Sequence, residues 1–88
     1  MNKNRRDEIT AARRHLTELA NTIEAIKSSI EDIMADEQEY LDNMPESLQN
    51  SDKGVTAEEA ISQLDQAIND LEDIRIDDIV DALNAASS

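Results

Sequence analysis

Twenty-one carboxylates and a single imidazole are the side chains with which this 88-residue chain could do chemistry. His15 sits beside Arg13 and Arg14, and the chain has no cysteine and no second histidine to converge with it. Nucleophilic catalysis and transition-metal binding both need such convergence. A surface or half-buried place on a charged helix is therefore the setting expected for His15. Helical bundles that hold two metal ions do so with inward Glu residues and Glu-x-x-His motifs, and no such motif occurs here. Glu37 falls inside the apolar seam described below and reads as a polar residue setting register. Residues 50–54, "NSDKG", lack the alternating oxygen ligands and closing Glu of a calcium loop. One glycine cannot make a glycine-rich phosphate loop, and Ser28, Ser29, Ser47, Ser51 and Ser62 have no local base signature. The expectation is a non-enzymatic protein with no catalytic residue, no metal and no cofactor.

Charge is the stronger signal. The net charge is −13. Residues 1–14 hold Lys3, Arg5, Arg6, Arg13 and Arg14 against Asp7 and Glu8, which is +3. Residues 15–88 hold three basic and 19 acidic residues, which is −16. An acidic body repels nucleic acid and anionic lipid and attracts basic surfaces, including those that ordinarily hold DNA or RNA. No apolar run approaches the roughly 20 residues that cross a bilayer. The opening "MNKNRRDEIT" has no apolar stretch behind it and reads as a helix start rather than a signal peptide. Absence of cysteine fits a reducing cytoplasm.

The elements behind these side chains are helices. Ile9, Ala12, Leu16, Leu19, Ile23, Ile26, Ile30, Ile33, Glu37, Tyr40 and Met44 follow one another at alternating spacings of three and four, a heptad seam. Gly and Pro are absent from residues 1–44, Asn4 is placed to cap, and Asp7 suits a first turn. The spacing predicts one helix over residues 4–43. A second row of Ala20, Lys27, Met34 and Leu41 widens the stripe beyond what a two-stranded coiled coil needs and toward what a bundle needs. Lys27 can lay its stem along such a surface and keep its ammonium in water.

The corner is predicted at residues 44–56. Pro45 disfavours helical geometry at Met44 and suits the first turn of a short helix over 45–49. Gly54 is expected to take the positive φ that closes the turn. Thr56 and Glu59 read as a capping box, with Val55 and Ala60 as a staple, so a second helix is predicted over 57–84. Met44 and Leu48 can plug the bundle end with Tyr40, or Tyr40 and Leu48 can face a partner.

Ile61, Leu64, Ile68 and Leu71 carry the second stripe, which then drifts to Ile76, Ile79 and Leu83 as a 3.6-residue period drifts against a 3.5-residue one. The fold class expected is all-α: one domain over 1–88, an antiparallel two-helix hairpin with a short helical turn at the corner. In that register Ile33 falls near Leu64, Ile26 near Leu71 and Leu19 near Ile79. A lone hairpin buries little, so self-association into a dimeric four-helix bundle is expected. Its seam would be Ile9, Leu16, Leu19, Ile23, Ile26, Ile30 and Ile33 with Ile61, Leu64, Ile68, Leu71 and Ile79.

Carboxylates fill the outer faces. Glu24 and Glu31 share one row, Glu18, Asp32 and Glu39 another, and Asp65, Asp70, Glu72, Asp73, Asp77, Asp78 and Asp81 crowd the second helix. Such rows either keep a helical protein in solution or imitate a phosphate backbone for a basic groove. The partner-binding residues expected are Glu31, Asp32, Glu39, Asp42, Tyr40, Leu48, Asp70, Asp73 and Asp77. Arg5, Arg6, Arg13 and Arg14 form a basic end that pairs with the acidic body or holds a small anion or nucleotide. No aromatic residue in that segment is available to stack bases.

The run "DEQEYLDNMPESLQNSDKG" followed by "AEEAISQLDQAINDLEDI" resembles a group of small proteins encoded by phages and prophages. They begin with "MNK" and a basic helix, share a run similar to "EYLDNMPESLQ", and continue through a polar turn into an acidic helix patterned in Ala and Leu. The resemblance covers nearly the whole chain, and "DNMPESLQ" is its most specific part. No activity is assigned to the group, so it implies no catalytic residues. It implies a phage accessory protein of the bacterial host cytoplasm, similar to small acidic inhibitors of host or defence machinery. The partners expected are a second copy and a basic, nucleic-acid-handling host protein, with no direct nucleic acid and no membrane. An assembly module, or a small-anion sponge using the arginine end, are the alternatives.

Overall fold

The computed structural model describes residues 1–88 and is all-helical: α1 Lys3–Asp42, α2 Glu46–Gln49, α3 Asp52–Glu72 and α4 Ile76–Ser87. No helix is long and apolar enough to cross a membrane.

α1 runs 40 residues, about 60 Å at 1.5 Å per residue. Its cap is Asn2 rather than Asn4: Asn2 Oδ1 accepts from the backbone N–H of Arg5 at 2.9 Å, the bond that satisfies one of the four N–H groups a helix start leaves open. At the other end Asn43 N–H still reaches Glu39 O at 3.0 Å, and Met44 N–H closes a tighter turn onto Leu41 O at 3.1 Å. Pro45 follows with φ −56° and ψ 145°, and the helix cannot pass it.

The corner is tighter than the sequence suggests. α2 is pinned by Leu48 and Gln49 N–H groups donating to Pro45 O at 2.8 and 3.1 Å. Ser51, in extended conformation, begins α3 only two residues later, and its hydroxyl donates to Leu48 O. The second helix thus starts at Asp52, not at 57, and Thr56 and Glu59 lie inside it rather than at its cap. Gly54 has no positive φ. Its role is close approach: a Cβ there would stand 1.9 Å from Gln49 O, so only glycine lets α3 lie against α2.

The second helix is also broken where drift was expected. α3 ends at Glu72, Asp73 N–H closes onto Asn69 O at 3.0 Å, and Arg75 (φ −97°, ψ 73°) resets the chain before α4. An unbroken stripe running on from Leu64, Ile68 and Leu71 would turn Arg75 and Asp78 inward. The break instead turns in Ile76, Val80 and Leu83 and leaves Ile79 outside. Asp77 and Asp78 in the first turn of α4 favour its N-terminus.

Packing divides the chain into two compact units, Met1–Ala25 with Ile74–Ser88, and Ile26–Asp73. In the first, Ile23 of α1 and Ile76 of α4 are buried, and Arg13 Nη1 donates to Asn84 Oδ1. In the second, Gly54, Ala57 and Ile68 of α3 are buried, and Lys27 Nζ meets Glu72 Oε1 at 3.2 Å. The Lys27 side chain is 19% exposed and Glu72 51%. The lysine stem is therefore packed while its charge stays at the edge, as such side chains do.

Candidate functional site

The most informative surface is a stripe of α1 that the chain leaves uncovered. Half-buried and buried positions on α1 fall at Ile9, Arg13, Leu16, Ala20, Ile23, Lys27, Ile30, Met34, Glu37 and Leu41, at spacings of four and three, with Ala11 the one addition. The central row of the predicted seam, Ile9, Leu16, Ile23, Ile30 and Glu37, is thus turned inward. Its companion on the inside is the row of Ala20, Lys27, Met34 and Leu41. The companion predicted from sequence stands outside instead. Leu19 is 48% exposed, Ile26 43%, Ile33 54% and Tyr40 51%.

Physical reason for the exchange lies in residue size. Two rows flank the central one at equal helical angles, and the inner one carries Ala20 and the slender Lys27 stem. At the levels of 19/20 and 26/27 the inner row is the slimmer, Ala20 and Lys27 against Leu19 and Ile26, while Met34 and Leu41 continue it further along. The four buried apolar side chains, Ile23, Ala57, Ile68 and Ile76, are outnumbered by the large apolar ones left exposed. The four exposed residues of the outer row, Leu19, Ile26, Ile33 and Tyr40, stand seven apart along one face of α1.

Beside the row, an open cleft of about 270 Å³ is lined by Glu37, Tyr40, Asp52, Lys53, Thr56 and Ala57. Its lining combines the exposed Tyr40 ring, the buried Ala57, two carboxylates and one ammonium. Leu48 is 43% exposed. Of the three residues expected to plug the bundle end, Tyr40 and Leu48 are exposed in the single chain and Met44 is half-buried. Gln49 Nε2 donates to Leu41 O at 3.3 Å, beside the Met44 N–H, and to Met44 O at 3.2 Å, just past the end of α1. Gln49 is the residue that sequence reasoning missed here. Its signal was its place four residues after Pro45, at the end of the short helix.

The carboxylates expected to bind a partner are all exposed: Glu31, Asp32, Glu39 and Asp42 on α1, Asp70 and Asp73 after them in the second unit, and Asp77 in the first. Two of them are steadied by a glutamine one turn earlier. Gln38 Nε2 donates to Asp42 Oδ1 at 2.9 Å, and Gln66 Nε2 to Asp70 Oδ1 at 2.8 Å. Arg5, Arg6 and Arg14 are exposed, as is His15. Arg13 is half-buried, and its guanidinium is engaged with Asn84 and, at 3.4 Å, with Thr10 Oγ1. That engagement spends one of the four arginines on holding α4. No group of three or more His, Asp or Glu side chains is placed to hold a metal ion.

Compared with known proteins, the chain matches no protein-family model, no curated protein and no solved structure.

Proposed function

We propose that this chain is a non-enzymatic accessory binding protein of a phage or prophage, acting in the bacterial cytoplasm. Its helices fold back as an antiparallel hairpin, two copies assemble into a four-helix bundle, and its outer carboxylates occupy the basic surface of a host or defence protein that handles nucleic acid. The phage setting rests on the resemblance around "DNMPESLQ".

The observation that carries the reading is the exposed carboxylate rows of α1. Glu24 and Glu31, and Asp32 and Glu39, are each seven residues apart on one helix and all stand in solvent. Seven residues advance about 10.5 Å along a helix. Successive phosphates of one DNA strand advance about 3.4 Å, so each row presents a negative charge at about every third phosphate. A rigid helix with that repeat can occupy a groove built for nucleic acid and release the same counterions. The fold-back is supported by the two ties described above, Lys27 to Glu72 and Arg13 to Asn84. Self-assembly is supported by the apolar row of α1, which equally favours a second reading, that of a structural assembly module.

The test is affinity capture from bacterial lysate, followed by salt elution and competition with duplex DNA. A basic partner that elutes steeply with salt and is displaced by DNA supports the inhibitor. A variant carrying E31Q, D32N, E39Q and D42N should keep its helical spectrum and lose that partner. No basic partner at low salt, or one the variant binds equally well, overturns the reading.

A further inference from the structure

We propose that the uncovered row of α1 seats the same row of a second copy, antiparallel, with Ile26 on the two-fold axis. This deepens the self-assembly reading above and rests on it.

Three observations point to a second copy rather than to another partner. The first is symmetry of size. With Ile26 facing its own copy, Leu19 faces Ile33 as apolar against apolar, and the small Ala12 faces the large Tyr40. The second is the polarity of the face. Leu19, Ile26 and Ile33 are interleaved with Thr22 and Ser29, and no charge stands among these five. The Thr22 hydroxyl already donates to Glu18 O at 3.0 Å, so covering it strands no polar group. Small residues at those levels suit the 8–10 Å separation of packed helices.

The third is charge, and it selects both orientation and register. Within α1, residues 10–14 hold Arg13 and Arg14 and no acidic residue, a net +2. About Ile26 they lie opposite residues 38–42, which hold Glu39 and Asp42 and no basic residue, a net −2. A parallel pair would set each of these segments against its own like charge. An antiparallel pair centred midway between Ile26 and Ile33 would carry Arg13 and Arg14 past the end of the partner's α1 at Asp42 and leave them without an acidic counterpart on that helix. Only the axis at Ile26 matches the apolar row and the charges together. A host protein with a uniformly basic surface would meet repulsion at the arginine end of this row, and the second copy does not.

The chain has no cysteine, so single thiols report the geometry without background. The experiment is cross-linking with a short bismaleimide of I26C, L19C and I33C, alone and mixed, alongside sedimentation of the unmodified chain. I26C should cross-link to itself. L19C and I33C should each remain single and should cross-link to one another when mixed, because like positions then lie about 21 Å apart along the axis. Self-linking of L19C and of I33C overturns the orientation in favour of a parallel pair. A sedimenting dimer with no cross-link at any of the three sites overturns this surface and leaves self-assembly standing. A monomer at micromolar concentration overturns both.

Discussion

Ile23 and Ile26 stand three residues apart on α1, and Ile23 is 9% exposed while Ile26 is 43% exposed. Three residues turn a helix by most of a full circle, so both belong to one apolar stripe by spacing. One edge of that stripe is buried or half-buried in the single chain and the other is left to solvent. The outcome of each substitution below depends on which edge it touches.

Ile68 and Ile26 should therefore separate under the same change. Ile68→Ala removes a buried side chain, 7% exposed, and should cost about 2–5 kcal/mol of folding stability. Ile26→Ala removes little that the single chain packs, and its loss should grow with protein concentration. Urea unfolding at two concentrations measures both.

Gly54→Ala tests the corner. Alanine favours a helix interior by about 1 kcal/mol over glycine, so a free site would gain stability. Here the added carbon would stand 1.9 Å from the Gln49 carbonyl oxygen, a backbone atom that cannot swing aside. The expected result is a net loss of about 1–3 kcal/mol, read as a lower urea midpoint.

Gln49→Ala should cost about 1 kcal/mol, since it removes the donor that Gln49 supplies to Met44 O and the second donor to Leu41 O, which keeps the Met44 N–H. Gln49→Glu cannot donate either and should lose as much or more. A thermal melt of the two variants distinguishes this from a change in helix propensity, because Ala is the better helix former.

Arg75→Ala should be nearly silent. The Arg75–Asp78 pair spans 3.5 Å with side chains 80% and 65% exposed, and exposed pairs contribute at most about 1 kcal/mol. A shift in melting temperature as large as that of Ile68→Ala would show that Arg75 does more than pair. The break between α3 and α4, which Arg75 closes, would then be the place to look.

Much of the fold is written in the periodicity. The seven-residue repeat of Ile9, Leu16, Ile23 and Ile30 gives α1 and its inward row without further information. What periodicity cannot give is the choice between two flanks, since Leu19 and Ala20 lie at similar angles to either side of that row. The apolar character favoured Leu19, while close packing favoured Ala20. Gly54 was misread for a related reason. Glycine signals either a positive φ or a close approach, and only the position of Gln49 decides between them. By spacing alone the break at 73–75 looks like drift, because "IRIDDIV" continues to offer apolar residues at helical spacing; one turn of irregular backbone restores Ile76 to the inside and exposes Ile79. The carboxylates were legible as exposed, because charge alone keeps them so. Their grouping into rows on α1 needed only the helix.

The central claim is that the outer edge of the α1 stripe is an interface. Sedimentation equilibrium of the chain and of the I26E/I33E variant tests it most directly. Neither substitution disturbs a buried position, so both proteins should show the same helical spectrum. The chain should sediment at twice its 9.8 kDa mass, and the variant, with charges forced into the shared row, should associate about tenfold more weakly or not at all. A chain that stays at 9.8 kDa, or a variant that dimerises as well as its parent, would contradict the account.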